Sequence, residues 1–420
     1  MNARAIGITA EYNPFHNGHR WQLQALHEEF GNVPVVACMS GWFMQRGESA
    51  LADPWTRAAM AVHAGVDLVL LLPAWFSLRS ADYFAVGSVK TLSATGIVDI
   101  LACGAEQKVR VHTHANTVCP DTSSTLPDTA AWALQAETGQ QIKTLLRQGL
   151  SYGAAWETAA IQNHKDAGWF TGANNLLALA YQKAILQYQL PIQLITLPRQ
   201  GSDYNDTQLI PPYASASAIR AALRNGTPPS ALASVLPEKS AAILKTSEIN
   251  YPARFARQEK TLTLLLSDLL ARRNSQDLYE YSSASRDLCD RFFNARQELQ
   301  QGYTAFCQKT TNRRDPLPSV RRLSLQLLLQ KPRAFWTEMP EPVYLRALAF
   351  NDRGRSLLKN MKKTATLPVI TKTGSEEQYR QTGMYPLQHL DAAAADLFQL
   401  LNGNAGLYGT NFTTSPVYVK

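Results

Sequence analysis

The hydrophobic pattern at the start of the chain reads strand, turn, helix. Residues 5–10 form a continuous apolar run, Asn13-Pro14 signals a turn, and Trp21, Leu23 and Leu26 then recur at helical spacing. The rhythm repeats to about residue 200, with strands expected at 5–10, 33–39, 68–72, 97–103 and 192–197. Helices are expected between them at 18–30, 53–64, 81–94, 129–148 and 175–186. Short buried strands alternating with helices predict an α/β fold, a Rossmann-like parallel sheet covered on both faces. Beyond about residue 245 the pattern is helical throughout, with an amphipathic segment at 259–270. The expectation is two domains, 1–245 holding the sheet and 246–420 mainly α-helical, each long enough for its own core.

In such sheets ligands bind beyond the carboxyl ends of the strands, where strand order reverses. His16-Asn-Gly-His19 falls at such a point, at the mouth of the first helix. The unpaired N–H groups of a first helical turn favour an anion there; His16 and His19 add donors, and Gly18 removes a side chain that would obstruct close approach. A capped surface helix with solvated histidines would give the same string, but its place directly after an N-terminal strand favours an anion site. A Ser/Ala-rich helix start at 214–220, with Ser215, Ser217 and Arg220, is common and uninformative as composition alone, and gains meaning only when paired with the histidine motif. Asn174 and Asn175 open an apolar helix and have an ordinary reading as caps, and Arg199 follows a strand where a cation could reach phosphate.

Composition narrows the class. With 45% hydrophobic and 18% charged residues the chain is an ordinary globular one. No apolar run approaches the roughly 20 residues of a membrane helix, and no signal peptide opens the chain, so a cytoplasmic protein with no membrane partner is expected. Five cysteines, widely spaced, read as reduced. His112, His114 and Cys119 lack a fourth ligand at zinc spacing, so no metal site is expected. Charge is more informative: residues 309–363 hold 13 Lys/Arg against 4 Asp/Glu, leaving 28 of the 41 basic and 29 of the 33 acidic residues elsewhere. That one segment carries the whole net charge of +8, and Phe335, Trp336, Tyr344 and Phe350 are interleaved with it. Concentrated basic charge with aromatics is the footprint of nucleic-acid binding.

The string Glu11-Tyr-Asn-Pro-Phe-His-Asn-Gly-His19 resembles the HxGH nucleotidyltransferase superfamily, and within it the bacterial tRNA(Met) cytidine acetate ligase family. Further blocks are similar: 39–48, 53–57, 67–73, 80–84 and 174–177, so the likeness spans essentially the whole chain. Three positions depart from the pattern: Cys103-Gly-Ala-Glu106 replaces Phe-Gly-Ser-Glu, Pro54 stands where lysine is common, and Ala216 where a hydroxyl residue is frequent. The resemblance implies a nucleotidyltransferase domain in which His16 and His19 are catalytic. It implies ATP contacts from Gly7, Ile8, Thr9, Ala10, Glu11, Tyr12, Asn13, Pro14, Phe15, Asn17, Gly18, Arg20, Gly104, Asn174, Asn175, Arg199, Ser215, Ser217 and Arg220. ATP would be a substrate, with Mg²⁺ as its usual companion although no carboxylate cluster stands out to hold it. Acetate would attack ATP to give acetyl-adenylate, which would acetylate N4 of the wobble cytidine of elongator tRNA(Met). The RNA would be held by Arg313, Arg314, Arg321, Arg322, Arg355, Lys359, Lys362 and Lys363. Asp53 and Arg57, one helical turn apart, are expected to pair. Two other readings stay open at this stage: a small-molecule adenylyltransferase using the same site, and a non-catalytic RNA-binding protein that keeps a nucleotide fold.

Overall fold

A computed structural model describes residues 4–106, 126–198, 208–338, 340–371, 374 and 376–420. The sheet is built from β1 (Ile6–Ala10), β2 (Val35–Ser40), β3 (Leu68–Leu72), β4 (Ile100–Ala105), β5 (Gln193–Pro198), β6 (Leu345–Phe350), β7 (Val369–Ile370) and β8 (Val417–Tyr418). Its order is β5-β4-β1-β2-β3-β6-β7, with β8 also on β6. The first five strands are parallel, as their near-continuous apolar sequences require of strands covered on both faces. The chain steps outward from β1 through β2 to β3, then crosses back to β4 and β5, so order reverses between β1 and β4. That is the crevice where a ligand is expected.

Helices α1 (Asn17–Phe30), α2 (Pro54–His63), α3 (Ala74–Ser77), α4 (Ala81–Ala94), α5 (Leu126–Ala133), α6 (Ala136–Arg147), α7 (Tyr152–Gln162) and α8 (Ala173–Gln187) connect the strands, and α9 (Ala216–Arg224) and α10 (Glu238–Thr246) follow β5. The helix expected over 129–148 is broken into α5 and α6, where Thr138 Oγ1 donates to Trp132 O at 2.8 Å. His112, His114, Cys119 and Arg199 lie outside the described residues. The other four cysteines are buried and free, as expected of reduced thiols. None of the described helices is long and apolar enough to cross a membrane.

A second helical layer holds α11 (Tyr251–Arg272), α12 (Ser275–Glu280), α13 (Arg286–Asn294), α14 (Tyr303–Thr310) and α15 (Leu317–Leu329). These enclose a core of their own, including Leu266, Phe292, Phe306, Val320 and Leu323. The C-terminal half is mainly α-helical, but the expectation of no further β–α alternation there is corrected after that point. Past α16 (Arg333–Thr337) the chain returns as β6, pairs antiparallel with β3, and continues into α17 (Asp352–Thr364), α18 (Tyr385–Leu401) and α19 (Thr410–Thr413). A boundary at residue 245 therefore leaves three strands of the sheet with the C-terminal half. Asp67 fixes this return at the amino end of β3: it accepts from Val35 N at 2.8 Å and from Asn351 Nδ2 at 3.0 Å, while Gly354 lies so close that a Cβ would meet Asp67 O at 1.9 Å.

The return is also held by Asp391 on α18, which accepts from Ala74 N at 2.7 Å and from the Tyr344 hydroxyl. Burial pushes its carboxyl up to about 6, against the opposing pull of Tyr344, Ala74 N and Arg346. A folded-state value above the unfolded one, about 3.9, means that the folded protein holds the proton more tightly. This contribution is fully present below about pH 4 and is lost as pH rises through about 6, by about 3 kcal/mol in total. Asp391→Asn keeps an oxygen for Ala74 N and should remove that part of the pH dependence. Urea unfolding of both proteins between pH 4 and 7 measures it, as a wild-type stability that falls relative to the variant.

Candidate active site

A cavity of about 230 Å³ opens at the carboxyl ends of β1, β4 and β5. Thr9 and Ala10 from β1, Cys103 and Gly104 from β4, and Leu197 and Pro198 from β5 form its floor. The histidines enter from α1. His16 is the N-cap: its Nδ1 accepts from Gly18 N at 3.1 Å, while its own N–H donates to His19 Nδ1 at 3.2 Å. Two histidines thus make the reciprocal capping box usually built from Ser/Thr and Glu. With both Nδ1 atoms accepting backbone N–H groups, each neutral ring carries its proton on Nε2 and is a donor there. The rings stack at 3.8 Å between centroids, and Tyr12 and Phe15 pack against His19 at 4.9 and 5.3 Å. Tyr12 holds a left-handed backbone, φ +46°, a strained turn of the kind found at functional sites.

Across the cavity lies the start of α9. Ser215 caps it, accepting from Ala218 N at 3.0 Å, and Ser217 and Arg220 follow one turn apart. Arg220 donates to Asn13 O at 2.8 Å and to Glu48 at 2.8 Å. Glu48 also receives Arg321 of α15 at 2.6 Å. Burial raises the Glu48 carboxyl, but the two guanidiniums prevail and its pKa lies below the ordinary value. Glu11 ends β1 and lines the same cavity; its Oε1 accepts from Gln45 N at 2.7 Å, and burial, only partly offset by that hydrogen bond and by Arg220 and Arg57, raises its pKa.

The remaining predicted residues divide. Thr9, Ala10, Glu11, Tyr12, Asn13, His16, Gly18, His19, Gly104, Asn174, Ser215, Ser217 and Arg220 line the cavity together. Gly7, Ile8, Pro14, Phe15, Asn17, Arg20 and Asn175 do not. Gly7 serves packing: a Cβ there would meet Val98 Cγ1 at 2.9 Å and Leu92 Cδ1 at 3.0 Å. Ile8 and Phe15 are core, Arg20 is exposed on α1, and Asn17 spends its amide on Pro212 O and Ser234 O, both at 3.0 Å. Asn175 is buried, accepting from Glu106 N at 2.9 Å and donating to Gly168 O at 3.0 Å. Of the two asparagines, only Asn174 faces the cavity.

Glu106 completes that corner. Its carboxylate accepts from Asn174 N at 3.2 Å, Asn174 Nδ2 at 2.7 Å and Asn175 N at 2.8 Å, occupying the N-terminus of α8. Gly172 makes this possible, since a Cβ would approach Glu106 Oε2 to 2.8 Å. Among residues that sequence reasoning missed are Trp21, Phe84, Leu177, Tyr181 and Tyr213. Tyr181 accepts from Thr9 Oγ1, and nothing in its helical apolar spacing distinguishes it from core. The expected Asp53–Arg57 pair is replaced. Asp53 caps α2 through Thr56 N at 2.9 Å, and Arg57 donates to Ala52 O at 3.0 Å, Glu11 O at 2.5 Å, Ser40 O at 2.9 Å and Gly41 O.

The basic segment does not form one surface. Arg321 is engaged by Glu48, and Arg322 donates to Gln45 O at 2.9 Å; burial, and then Arg79, lower the Arg322 pKa to about 10. Arg313 and Arg314 are exposed in the turn before α15. Lys359, Lys362 and Lys363 are exposed on α17, whose ends lie against Asp67 and Thr95, at the amino ends of the strands. Arg355, also there, pairs with Asp352 at 2.8 Å. These groups therefore occupy the pole opposite the cavity.

Known proteins share this arrangement. The family model described as HIGH Nucleotidyl Transferase matches residues 3–408. The tRNA(Met) cytidine acetate ligase of Alkaliphilus metalliredigens (strain QYMF) is 31% identical over 437 residues, covering 99% of both chains. That of Syntrophomonas wolfei is 31% identical over 430 residues, covering 98% of this chain and 99% of its own. The crystal structure of apo Thermotoga maritima TmcAL superposes with a TM-score of 0.84 at 26% identity, covering 99% of each chain. Another of that protein, bound with alpha-thio ATP, gives 0.82 with the same identity and coverage. A paired-histidine helix mouth at the switch point of the sheet, together with these full-length likenesses, assigns the chain to the tRNA(Met) cytidine acetate ligase family of enzymes, within the HIGH nucleotidyl transferases.

Proposed function

We propose that the cavity binds ATP and acetate, forms acetyl-adenylate, and transfers the acetyl group to N4 of the wobble cytidine of elongator tRNA(Met). The observation that carries this reading is the convergence of His16, His19, Arg220 and two helix starts, α1 and α9, on one cavity at the switch point. The names of the relatives, and a similar structure holding an ATP analogue, support the same substrates. An acetate oxygen attacks the α-phosphorus as the bond to the β-phosphate oxygen breaks, and pyrophosphate leaves with that electron pair. Such chemistry depends mainly on positioning and on stabilising the charge that develops. The Nε2–H donors of the histidines, the first turn of α9 and Arg220 supply it. Among the described residues no group of three His, Cys, Asp or Glu side chains is placed to hold a metal.

In the second step the amine attacks the acetyl carbonyl and AMP departs. RNA is engaged by Arg313 and Arg314 beside the helical layer, with Lys359, Lys362 and Lys363 a separate phosphate contact at the far pole. Arg321 and Arg322 act by bracing the loop that carries Gln45 and Glu48.

Purified protein incubated with ATP, labelled acetate and unmodified tRNA(Met) should yield labelled N4-acetylcytidine that requires both ATP and acetate, detected by nucleoside mass spectrometry. Label absent from RNA but AMP attached to a small acceptor would replace this reading with an adenylyltransferase. His16→Ala should reduce acetate-dependent ATP–pyrophosphate exchange about 100-fold or more, by loss of a transition-state donor, while tRNA affinity stays within about twofold. The two asparagines should separate. Asn174→Ala raises the ATP KM with little change in stability, whereas Asn175→Ala removes a buried side chain that pairs with two backbone groups and lowers unfolding stability by about 1 kcal/mol. Replacing Arg313 and Arg314 together by Ala should weaken tRNA binding and reduce the slope of log K against log salt by about 1–2, read from a filter-binding salt series.

A further inference from the structure

Resting on that reading, we propose that Glu11 is the base of the acyl-transfer step, its carboxylate taking the proton from the cytidine amine as the new amide forms. The first support is what the cavity contains. Among its described lining residues Glu11 is the sole carboxylate. A site for a triphosphate and a carboxylate substrate gains nothing electrostatically from a negative side chain, so a buried acid in that position calls for a role of its own. The other polar lining groups do not serve as the acceptor. The Nδ1 atoms of His16 and His19 are taken by backbone N–H groups, which makes the neutral rings donors at Nε2. Arg220 is a cation, and burial raises the Cys103 thiol to about 12 and lifts the Tyr12 and Tyr181 hydroxyls further from deprotonation.

The second support is position. Glu11 Oε1 is fixed by Gln45 N at 2.7 Å, and Gln45 is in turn held by Arg322 of α15 through its carbonyl at 2.9 Å. Its backbone carbonyl is fixed by Arg57. The carboxylate therefore stands on the wall of the cavity that α15 of the helical layer braces through Gln45. The groups facing it are Arg57 of α2, Arg220 of α9, Tyr181 of α8, and Glu48 with the Gln45 N–H from the loop after β2. Burial raises its pKa, which makes it a stronger base than an ordinary carboxylate. The step balances. The N4 lone pair forms the bond to the acetyl carbon, the bond from that carbon to the phosphate oxygen breaks, AMP leaves with its electron pair, and the N4 proton passes to Glu11 and then to water.

Glu11→Gln keeps the size and the oxygen that accepts from Gln45 N–H while removing the base. Single-turnover transfer from preformed acetyl-adenylate to tRNA should fall about 100-fold or more, at least about tenfold beyond any change in acetate-dependent ATP–pyrophosphate exchange. In the wild type that transfer rate should drop as pH falls through the raised Glu11 value, and in the variant it should be flat. An equal loss of both half-reactions, retention of both, or the same pH profile of transfer in wild type and variant would each overturn the proposal. A wild type that exchanges pyrophosphate but never acetylates tRNA would instead overturn the reading on which it rests.

Discussion

The site depends on one buried guanidinium. Parallel strands end in carbonyls that the ladder no longer satisfies, and a crevice cut between two strand ends multiplies them. Arg57, with no accessible surface, meets that need from α2, donating to Glu11 O at the end of β1, to Ser40 O and Gly41 O at the end of β2, and to Ala52 O. Its burial lowers the pKa to about 10, with Asp53 and Glu11 opposing, so it remains charged at neutral pH. A charge-assisted donor satisfying several buried carbonyls is a stiff joint, since displacing any one leaves an acceptor unpaired at about 1–3 kcal/mol. From this joint the chain turns through Tyr12 into the histidine cap on one side and through the Gln45–Glu48 loop on the other. Both walls of the cavity are thereby referred to the same fixed point.

A second constraint is how helix starts are shared out. Each presents unpaired N–H groups, and the fold fills some from within. Asp53 takes the start of α2 and Glu106 the start of α8. The starts of α1 and α9 are capped instead by His16 and Ser215, neither of which brings a carboxylate. Internal carboxylates thus occupy the helix starts that flank the cavity, and neutral caps mark the two that open on it. An incoming polyanion meets positive helix ends where it must bind and finds the neighbouring ones already neutralised.

Much of this was legible in the sequence because local pattern and local structure agree at the N-terminus. The apolar run, the Asn13-Pro14 turn and the His16–His19 spacing are all short-range signals, and each strand expected before residue 200 is present with its ends moved by a few residues. What escaped is non-local. The six residues of β6 are a short, largely apolar run amid helices, and β3, far earlier in the chain, supplies the partners that make them a strand, with Asp67 holding Asn351 just beyond it. The spacing of Asp53 and Arg57 suggests an ion pair, yet strand-end carbonyls compete for the guanidinium and win. Phe15 and Gly7 sit inside the recognisable motif but serve packing, a distinction that spacing does not carry.

Charge shows the same limit most sharply. Along the chain, residues 309–363 form one basic block, but folding divides its cations between two poles and engages some of them with acids that the linear count assigns elsewhere. Arg321 meets Glu48 across 273 positions, and Glu48 in turn holds Arg220 of the cavity. Gly47 fixes the contact, because a Cβ would approach Arg322 N to 2.7 Å and Arg321 Cβ to 2.6 Å. Two arginines sharing one carboxylate have a consequence that neither pair has alone. Whatever draws Arg220 toward a bound phosphate leaves more of Glu48 to Arg321, and a displacement of Arg321 returns Glu48 to Arg220. Any free energy exchanged this way is reciprocal. The helical layer is therefore joined to the nucleotide pocket by an electrostatic link through Glu48.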